Sequence, residues 1–373
     1  MPAVIDAPPR VRFADRPAFS QELRARADAY FEAEGLTPRD VPRMYLKSAF
    51  ILAWFSGSWA LLVFAAHSFW TAFPLAVSLG LSVAAIGMSV MHDANHGGYS
   101  RYPAVNRLFG STLDLMGVNS FLWRHKHNVL HHTYTNVQGV DYDVDFGILA
   151  RLTPEQTRRP WHRYQHLYLW FFYGFLLPKW VFHDDFLIWK SRYIGRHLMP
   201  KPSRVESVLF VAWKLVFLAW GFIIPALFHP ILQVLFFHFI AAFTLGVTLG
   251  TTFQLAHCLG EADFPTEPPP GERLARDWSE HQLDTTVDYA AGNPLVTWLC
   301  GGLNYQVEHH LFPKVCHIHY PALAPIVDEV AAKYGLVRRV NVTFRDAVGS
   351  HFRYLRKLGE APATVLVATA TVA

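Results

Sequence analysis

The sequence has little charge and few cysteines. Charged residues make up only 17% of the 373 positions, whereas hydrophobic residues make up 52% and the mean hydropathy is positive, which argues against an ordinary soluble enzyme. Cys258, Cys300 and Cys316 lack CxxC spacing, so the sequence encodes no zinc knuckle, ferredoxin-like cluster or disulfide framework, and we interpret them as buried or idle thiols. The net charge of +4 is spread along the chain, so no nucleic-acid partner is expected.

Long apolar stretches are present instead. Four of them are long enough to cross a hydrocarbon core about 30 Å thick, which takes roughly 20 helical residues, and they cover approximately residues 49–66, 71–90, 208–228 and 231–255. The turn inside each pair has no Lys or Arg, whereas the segments before, between and after the pairs hold nearly all the basic residues. The positive-inside rule therefore predicts an all-α integral membrane protein with two hairpins and cytoplasmic termini. Lys214, inside the third stretch, is expected to snorkel to the interface.

This pattern divides the chain into three parts. Residues 1–47 are predicted to form a cytoplasmic N-terminal segment, which lacks the basic start and apolar core of a signal peptide. In this segment, Ser20 is expected to cap an amphipathic helix that lies on a surface and that Gly35 ends. Residues 48–360 are predicted to form a single membrane domain with a cytoplasmic helical cap, and residues 361–373 a disordered tail of small residues.

Histidine is abundant, with 20 residues, and imidazole is the commonest side-chain ligand of transition metals. Three clusters and one separate histidine lie where the predicted spans end on the cytoplasmic side, or in the segments between and after the hairpins. Residues four apart share a helix face, so His92 and His96 can bind one metal ion, while adjacent histidines suit two ions. The candidate metal ligands are His92, His96, His127, His131, His132, His257, His309 and His310, together with Gln306, which shares a helix face with His309 and His310.

The number and type of these ligands indicate the metal. A zinc site closes with about four ligands, so a set of eight histidines predicts two metal ions. A site for two metal ions that is rich in nitrogen ligands and poor in carboxylates suits iron and oxygen chemistry, although the ligands alone are also compatible with copper. The other histidines show no such pattern and are interpreted as structural, and the HxxxH pair His162 and His166 follows no predicted span.

The motifs HDANH, HNVLHH and QVEHH, which begin at His92, His127 and Gln306, resemble the three histidine boxes of membrane fatty acyl desaturases. The likeness extends over nearly the whole chain, and glutamine at the start of the third box is similar to the front-end, delta-6 type branch of bacteria and cyanobacteria. The resemblance implies an oxidoreductase that uses two Fe ions and O2 to introduce a double bond into a fatty acyl chain carried by CoA or by a lipid. It also implies a protein of the bacterial inner membrane with a cytoplasmic active site.

The same resemblance implies further components. Some front-end relatives carry a fused cytochrome b5 domain with a His-Pro-Gly-Gly motif, which this chain lacks, so an external electron donor of the ferredoxin or cytochrome b5 type is expected.

The aromatic-rich segment 167–186 is either a wall of an acyl tunnel or an interfacial packing face. Where stearoyl-type enzymes carry an asparagine, this chain has Phe253, with Gln254 beside it. The side chains expected to support the ligands are Asp93, Asn95, Asn304, Glu308 and Asp141 with its neighbours Asp143 and Asp145, unless that aspartate run is a solvated loop.

Two other functions remain open at this point. A hydroxylase, ketolase, acetylenase or epoxidase can use the same di-iron centre, because substrate placement decides which product forms. A membrane metal transporter is the alternative from a different class. Transport sites lie near the bilayer midplane on broken helices, whereas these histidine clusters lie beyond the ends of the predicted spans, which argues against transport.

Overall fold

The computed structural model describes residues 11–360, so the first ten residues and the predicted tail 361–373 lie outside the described residues. In chain order the helices are α1 (Ala18–Ala33), α2 (Pro42–Phe64), α3 (Phe69–His96), α4 (Pro103–Gly110), α5 (Thr112–Leu115), α6 (Ser120–Arg124), α7 (Gln165–Tyr173), α8 (Leu176–Lys179), α9 (Asp185–Ser191), α10 (Arg204–Ala226), α11 (Ile231–His257), α12 (Trp278–Thr285), α13 (Pro294–Leu299), α14 (Gln306–Leu311), α15 (Tyr320–Lys333) and α16 (Phe344–Glu360). Short strands pair as β1 (Tyr193–Ile194) with β2 (His197–Leu198), antiparallel, and β3 (Asp288–Tyr289) with β4 (Val340–Asn341), parallel. All three cysteines are buried and unpaired, as predicted.

Four helices, α2, α3, α10 and α11, are long and apolar enough to cross a membrane. They match the four apolar stretches of the sequence, but their bounds differ. α2 begins at Pro42 rather than near residue 49, because proline is favoured in the first turn of a helix. α3 continues past its apolar stretch through a π-helical turn at Ile86–Val90 and ends only at His96, where Gly97 takes a left-handed conformation with φ +76°. The first histidine cluster therefore belongs to the same helix as the second apolar stretch.

α3 is the central helix, because it contacts α2 on one side and α11 on the other. Gly80 permits the close approach to α11, since a side chain at this position would collide with the carbonyl oxygen of Ala241. Gly80 lies 16 residues before His96, and Ala241 lies 16 residues before His257. The two packed helices therefore end at the same level, each with a histidine.

The expectation that Lys214 snorkels to the interface is wrong. Its side chain is only 13% exposed, and its ammonium group donates hydrogen bonds to the carboxylate of Asp185 (2.7 Å) and to the carbonyl oxygens of Gly117 (2.6 Å) and Val181 (2.9 Å). A buried ammonium is tolerated only with such a set of acceptors. These partners are distant in sequence, so Lys214 joins α10 to α9 and to the loop before α6 instead of reaching solvent.

The N-terminal helix differs from its prediction in two ways. α1 begins at Ala18, so Ser20 lies inside the first turn and its hydroxyl donates to the carbonyl of Pro17 instead of capping the helix. The apolar face is buried against protein, because its side chains share a core cluster with α15 and α12. The predicted end is confirmed: α1 stops just before Gly35, whose φ is +59°.

The segments that connect and follow the long helices pack over the ends of α3 and α11. Asn136, in the loop after the second histidine cluster, donates from its amide to the carbonyl oxygens of His257 (2.9 Å) and Thr285 (3.1 Å). Its φ of 57° is a left-handed conformation that asparagine tolerates better than most residues. The loop is thereby tied to the ends of α11 and α12, and this layer brings the remaining histidine clusters to the ends of the two long helices.

Candidate metal centre

The eight histidines singled out from the sequence meet in one buried centre. None of them is more than 7% exposed. The end of α3 contributes two of them, the π-helical turn after α6 and the next residue contribute three, the end of α11 contributes one and α14 contributes two. In chain order they are His92, His96, His127, His131, His132, His257, His309 and His310.

The second cluster lies on a π-helical turn, residues His125–His131, and not on the α-helix that its spacing suggested. The widened turn is closed by the backbone N–H of His132, which donates to the carbonyl of His127 at 3.0 Å. The rings of His127 and His131 stack with centroids 5.0 Å apart, while the ring of His132 is nearly perpendicular to that of His127. All three imidazoles consequently reach the same centre.

The ligand atoms form two groups joined by one histidine. In the first group, one nitrogen from each of four histidines lies within 4.8 Å of the others, and the second group is formed in the same way by three histidines. The first group comprises His92, His96, His127 and His309, and the second comprises His131, His257 and His310. A nitrogen of His132 lies within the same distance of nitrogens from His309 and His310, so it connects the two groups.

Several ring nitrogens in the centre have no protein partner. The Nε2 atoms of His92, His96 and His310 are buried without a hydrogen-bond partner among the described residues. The Nε2 atom of His132 lies 3.2 Å from that of His127 and 3.0 Å from that of His309. A neutral imidazole has a single N–H, and buried polar atoms rarely stay unpaired, so these converging lone pairs fit bound cations. The donor set is therefore suited to metal ions.

The opposite ring nitrogens hold the imidazoles in place. The Nδ1 atoms of His127 and His131 lie 3.2 Å and 2.9 Å from carboxylate oxygens of Asp143 and Asp141. In α14, Nδ1 of His309 lies 3.1 Å from the hydroxyl of Tyr320, and Nδ1 of His310 lies 2.8 Å from the side-chain oxygen of Gln282. Such contacts orient a metal-binding ring and select its tautomer.

Of the seven supporting side chains named from the sequence, Asp141 and Asp143 hydrogen-bond to two of the eight histidines. Four others hold neighbouring segments together through different partners, which are His317 for Asp93, Arg124 for Asn95, Thr297 for Asn304 and Arg338 for Glu308. The aspartate run is not simply a solvated loop, since Asp141 is buried and Asp143 contacts His127, while Asp145 is exposed. Tyr320 and Gln282 had no signal in the sequence, because no histidine box contains them.

Gln306 lies beside the second group. Its amide nitrogen is 2.9 Å from Nε2 of His257, and its side-chain oxygen is buried without a partner in the described part of the chain. The side chain is thus within reach of the same centre as the histidines of the third box.

Burial determines the protonation of the centre. It lowers the pKa of His132, His309 and His310 well below 6.5, and neighbouring imidazoles lower it further. For His131, burial acts in the same direction, but the charge and hydrogen bond of Asp141 outweigh it and raise the pKa. Most of these rings are therefore neutral at pH 7, with lone pairs available to a metal ion.

A mostly apolar cavity of about 170 Å³ lies against this centre. His127, His131 and His257 line one side of it, and the aromatic-rich segment 167–186 lines another. That segment contributes Phe172, Phe175, Leu176, Lys179 and Trp180, and α11 contributes Phe253 and Gln254. The side-chain oxygen of Gln254 is buried and has no partner among residues 11–360.

The fold and the site together define a class: a membrane protein whose histidine-rich centre borders an apolar cavity. Comparison with known proteins gives the family. Residues 68–341 match the family described as Fatty acid desaturase. The chain belongs to this family, and it is an oxidoreductase that desaturates fatty acyl chains. The resemblance in the histidine boxes is thereby confirmed.

The relatives are similar over nearly the whole chain. The chain is 40% identical to the sn-1 linoleoyl-lipid 6-desaturase of Arthrospira platensis, over 97% of this chain and 98% of the relative. It is 39% identical to the protein of the same name from Synechocystis sp., over 94% and 98%. It is 35% identical to an acyl-lipid (8-3)-desaturase of Physcomitrium patens, over 93% of this chain and 72% of that protein.

Proposed function

We propose that the histidine centre binds two iron ions and that the protein is a front-end acyl-lipid desaturase of the delta-6 type. The observation that carries the proposal is the arrangement of seven histidine nitrogens in two groups, with His132 between them. One ion is assigned to the group of four and the other to the group of three, and Gln306 is an additional ligand or neighbour of the second ion. The names of the cyanobacterial relatives support an acyl lipid as substrate and the sixth carbon as the position.

The chemistry that bound iron supplies is dioxygen-dependent removal of hydrogen from two adjacent methylenes, with two electrons and two protons completing the reduction of oxygen to two water molecules. The protein's own groups prepare the site for this reaction. Asp141, Asp143, Tyr320 and Gln282 orient imidazoles, which are neutral ligands and leave the charge of the ions uncompensated. The aromatic wall of the cavity excludes water and holds an extended acyl chain beside the centre.

The proposal extends to location, domain organisation and electron supply. Residues 48–360 act as one membrane domain in the bacterial inner membrane, with both termini and the histidine centre on the cytoplasmic side. The distribution of Lys and Arg in the sequence supports this orientation. A separate ferredoxin or cytochrome b5-type protein supplies the electrons.

The test is gas chromatography with mass spectrometry of membrane lipids from a bacterial host that expresses the protein and is fed linoleate. The expected result is a new double bond at the sixth carbon from the carboxyl end, found in intact lipids. A double bond at another position contradicts the delta-6 assignment. A hydroxylated or keto product without any new double bond contradicts desaturation itself.

A further inference from the structure

A strongly basic surface lies on the exposed side of α16, the last helix of the described residues. Six exposed cations form it, and we call it the basic ridge: Arg158, Arg159, Arg163, Arg353, Arg356 and Lys357. Three come from the segment around the short helix Pro160–Tyr164 and three from α16. Glu360 pairs with Arg356 at 3.0 Å and offsets one of the six positive charges, so the ridge keeps a large positive excess.

The two halves of the ridge are held together through the backbone of α16. Arg158 donates from Nε to the carbonyl of Gly359 at 2.6 Å. Gly359 allows this contact, because a side chain there would collide with the carbonyl oxygen of His162. Cations from both halves influence the same carboxylate. The hydrogen bond from Arg356 is the largest cause that lowers the pKa of the exposed Glu360, and the charges of His166 and Arg163 lower it further.

An apolar row borders the ridge. Trp161, Tyr164, Leu167 and Phe171 are each at least 45% exposed, and the last two lie on α7. Trp161 donates its indole N–H to the carbonyl of Ile148, which is itself exposed. Large apolar side chains in a row, with Trp and Tyr next to cations, are typical of a segment at the boundary between headgroups and acyl chains.

We propose that the basic ridge binds the anionic headgroups of bilayer lipids in the leaflet on the side of the histidine centre, while the apolar row inserts into the acyl boundary. Lys and Arg near an anionic lipid surface attract it strongly, roughly fivefold in binding for each cation. This surface takes no part in the chemistry, so the inference goes beyond the proposed function.

The contacts of α7 connect lipid binding to the cavity. Tyr168 on α7 donates to the carbonyl of Leu149 at 2.6 Å, and both Leu149 and Phe172 line the cavity. A lipid surface that holds the ridge and the apolar row therefore also holds one wall of the cavity at the depth of the bilayer where acyl chains begin.

An acidic electron-donor protein is the competing occupant of a basic surface. The exposed apolar row beside the ridge favours lipid, because large apolar side chains next to cations suit the boundary between headgroups and acyl chains and are not needed in an encounter between two charged soluble surfaces.

The experiment uses the full-length protein in bilayers of phosphatidylcholine with a trace of spin-labelled phosphatidylglycerol or spin-labelled phosphatidylcholine. Electron paramagnetic resonance measures the motionally restricted fraction of each labelled lipid. The ridge variant is R353Q/R356Q/K357Q, and the matched control R12Q/R16Q/R273Q removes the same charge from exposed positions elsewhere. Iron content and melting temperature show that each variant is folded.

The wild-type protein and the control variant are expected to prefer phosphatidylglycerol over phosphatidylcholine, and the ridge variant to lose about tenfold or more of that preference. An unchanged preference in the ridge variant overturns the proposal, as does an equal loss in the control. The proposal is also overturned if the ridge variant loses binding of a reduced acidic ferredoxin while its lipid preference stays intact.

Discussion

The Nδ1 atom of His131 lies 2.9 Å from the carboxylate of Asp141, and the same carboxylate accepts the backbone N–H of Asn136. This pair joins a candidate metal ligand to the loop that ties the second histidine cluster to the end of α11. Asp141→Asn removes the charge that orients His131, so we expect iron affinity to fall roughly 10- to 100-fold. The measurement is iron retained per chain after dialysis against a chelator. Asp145→Asn is the matched control, because Asp145 is exposed in the same run; equal retention by the two variants contradicts the role of Asp141.

Removal of a ring from the centre is expected to be more severe. His131→Ala takes one of three nitrogens from the second group, so we expect turnover to fall to background with the fold intact. Turnover is measured with acyl lipid in bilayers, and folding by the thermal melting curve. His183→Ala is the control, since that side chain is 67% exposed and contacts Asp184. Substantial turnover by the His131→Ala variant argues against a ligand role for His131.

Gln306 is the one candidate ligand that is not an imidazole. Its amide lies 2.9 Å from the ring of His257, so Gln306→His introduces a ring where the second group is already crowded. We expect iron affinity or turnover to change by roughly tenfold or more. The exposed Gln21→His substitution on α1 serves as the control. If iron content and rate both match the wild type, Gln306 does not take part in the centre.

The metal-free protein is expected to lose stability in mild acid. Burial holds the pKa of His132, His309 and His310 below 6.5 in the folded state, whereas unfolded histidine binds a proton near that value. As the pH falls below about 6.5, the unfolded state takes up more protons than the folded state, and each such histidine removes up to about 1.4 kcal/mol per pH unit from the free energy of unfolding. The melting temperature of the metal-free protein should therefore drop between about pH 7.5 and about pH 5.5. A constant or rising melting temperature contradicts neutral rings in the centre.

The sequence predicted the histidines better than their surroundings. Helical spacing and span ends were enough to select the eight histidines that meet, because those signals are local. The π-helical turn under His127 and His131 had no such signal, since it depends on how the loop packs on α3 and α11. The side chains of Gln282 and Tyr320, which hold the histidines of α14, and the acceptors around Lys214 come from distant parts of the chain and could be found only from the tertiary structure.

Local rules also failed where packing competes with them. Ser20 is a good capping residue, but Pro17 precedes α1 and the helix begins before Ser20, whose hydroxyl bonds back to that proline. The apolar face of α1 was correctly identified, and only the protein surface that covers it was unexpected. A pattern of apolar residues does not show whether lipid or protein covers that face.

Metal analysis with Mössbauer spectroscopy of the purified protein labelled with ⁵⁷Fe tests whether the histidine centre holds two iron ions. Two iron ions per chain are expected, both in nitrogen-rich sites, and the His131→Ala variant but not the His183→Ala variant is expected to lose the ion of the second group. One iron ion per chain in the wild-type protein, or full occupancy by zinc or copper in the active protein, would contradict a two-iron centre.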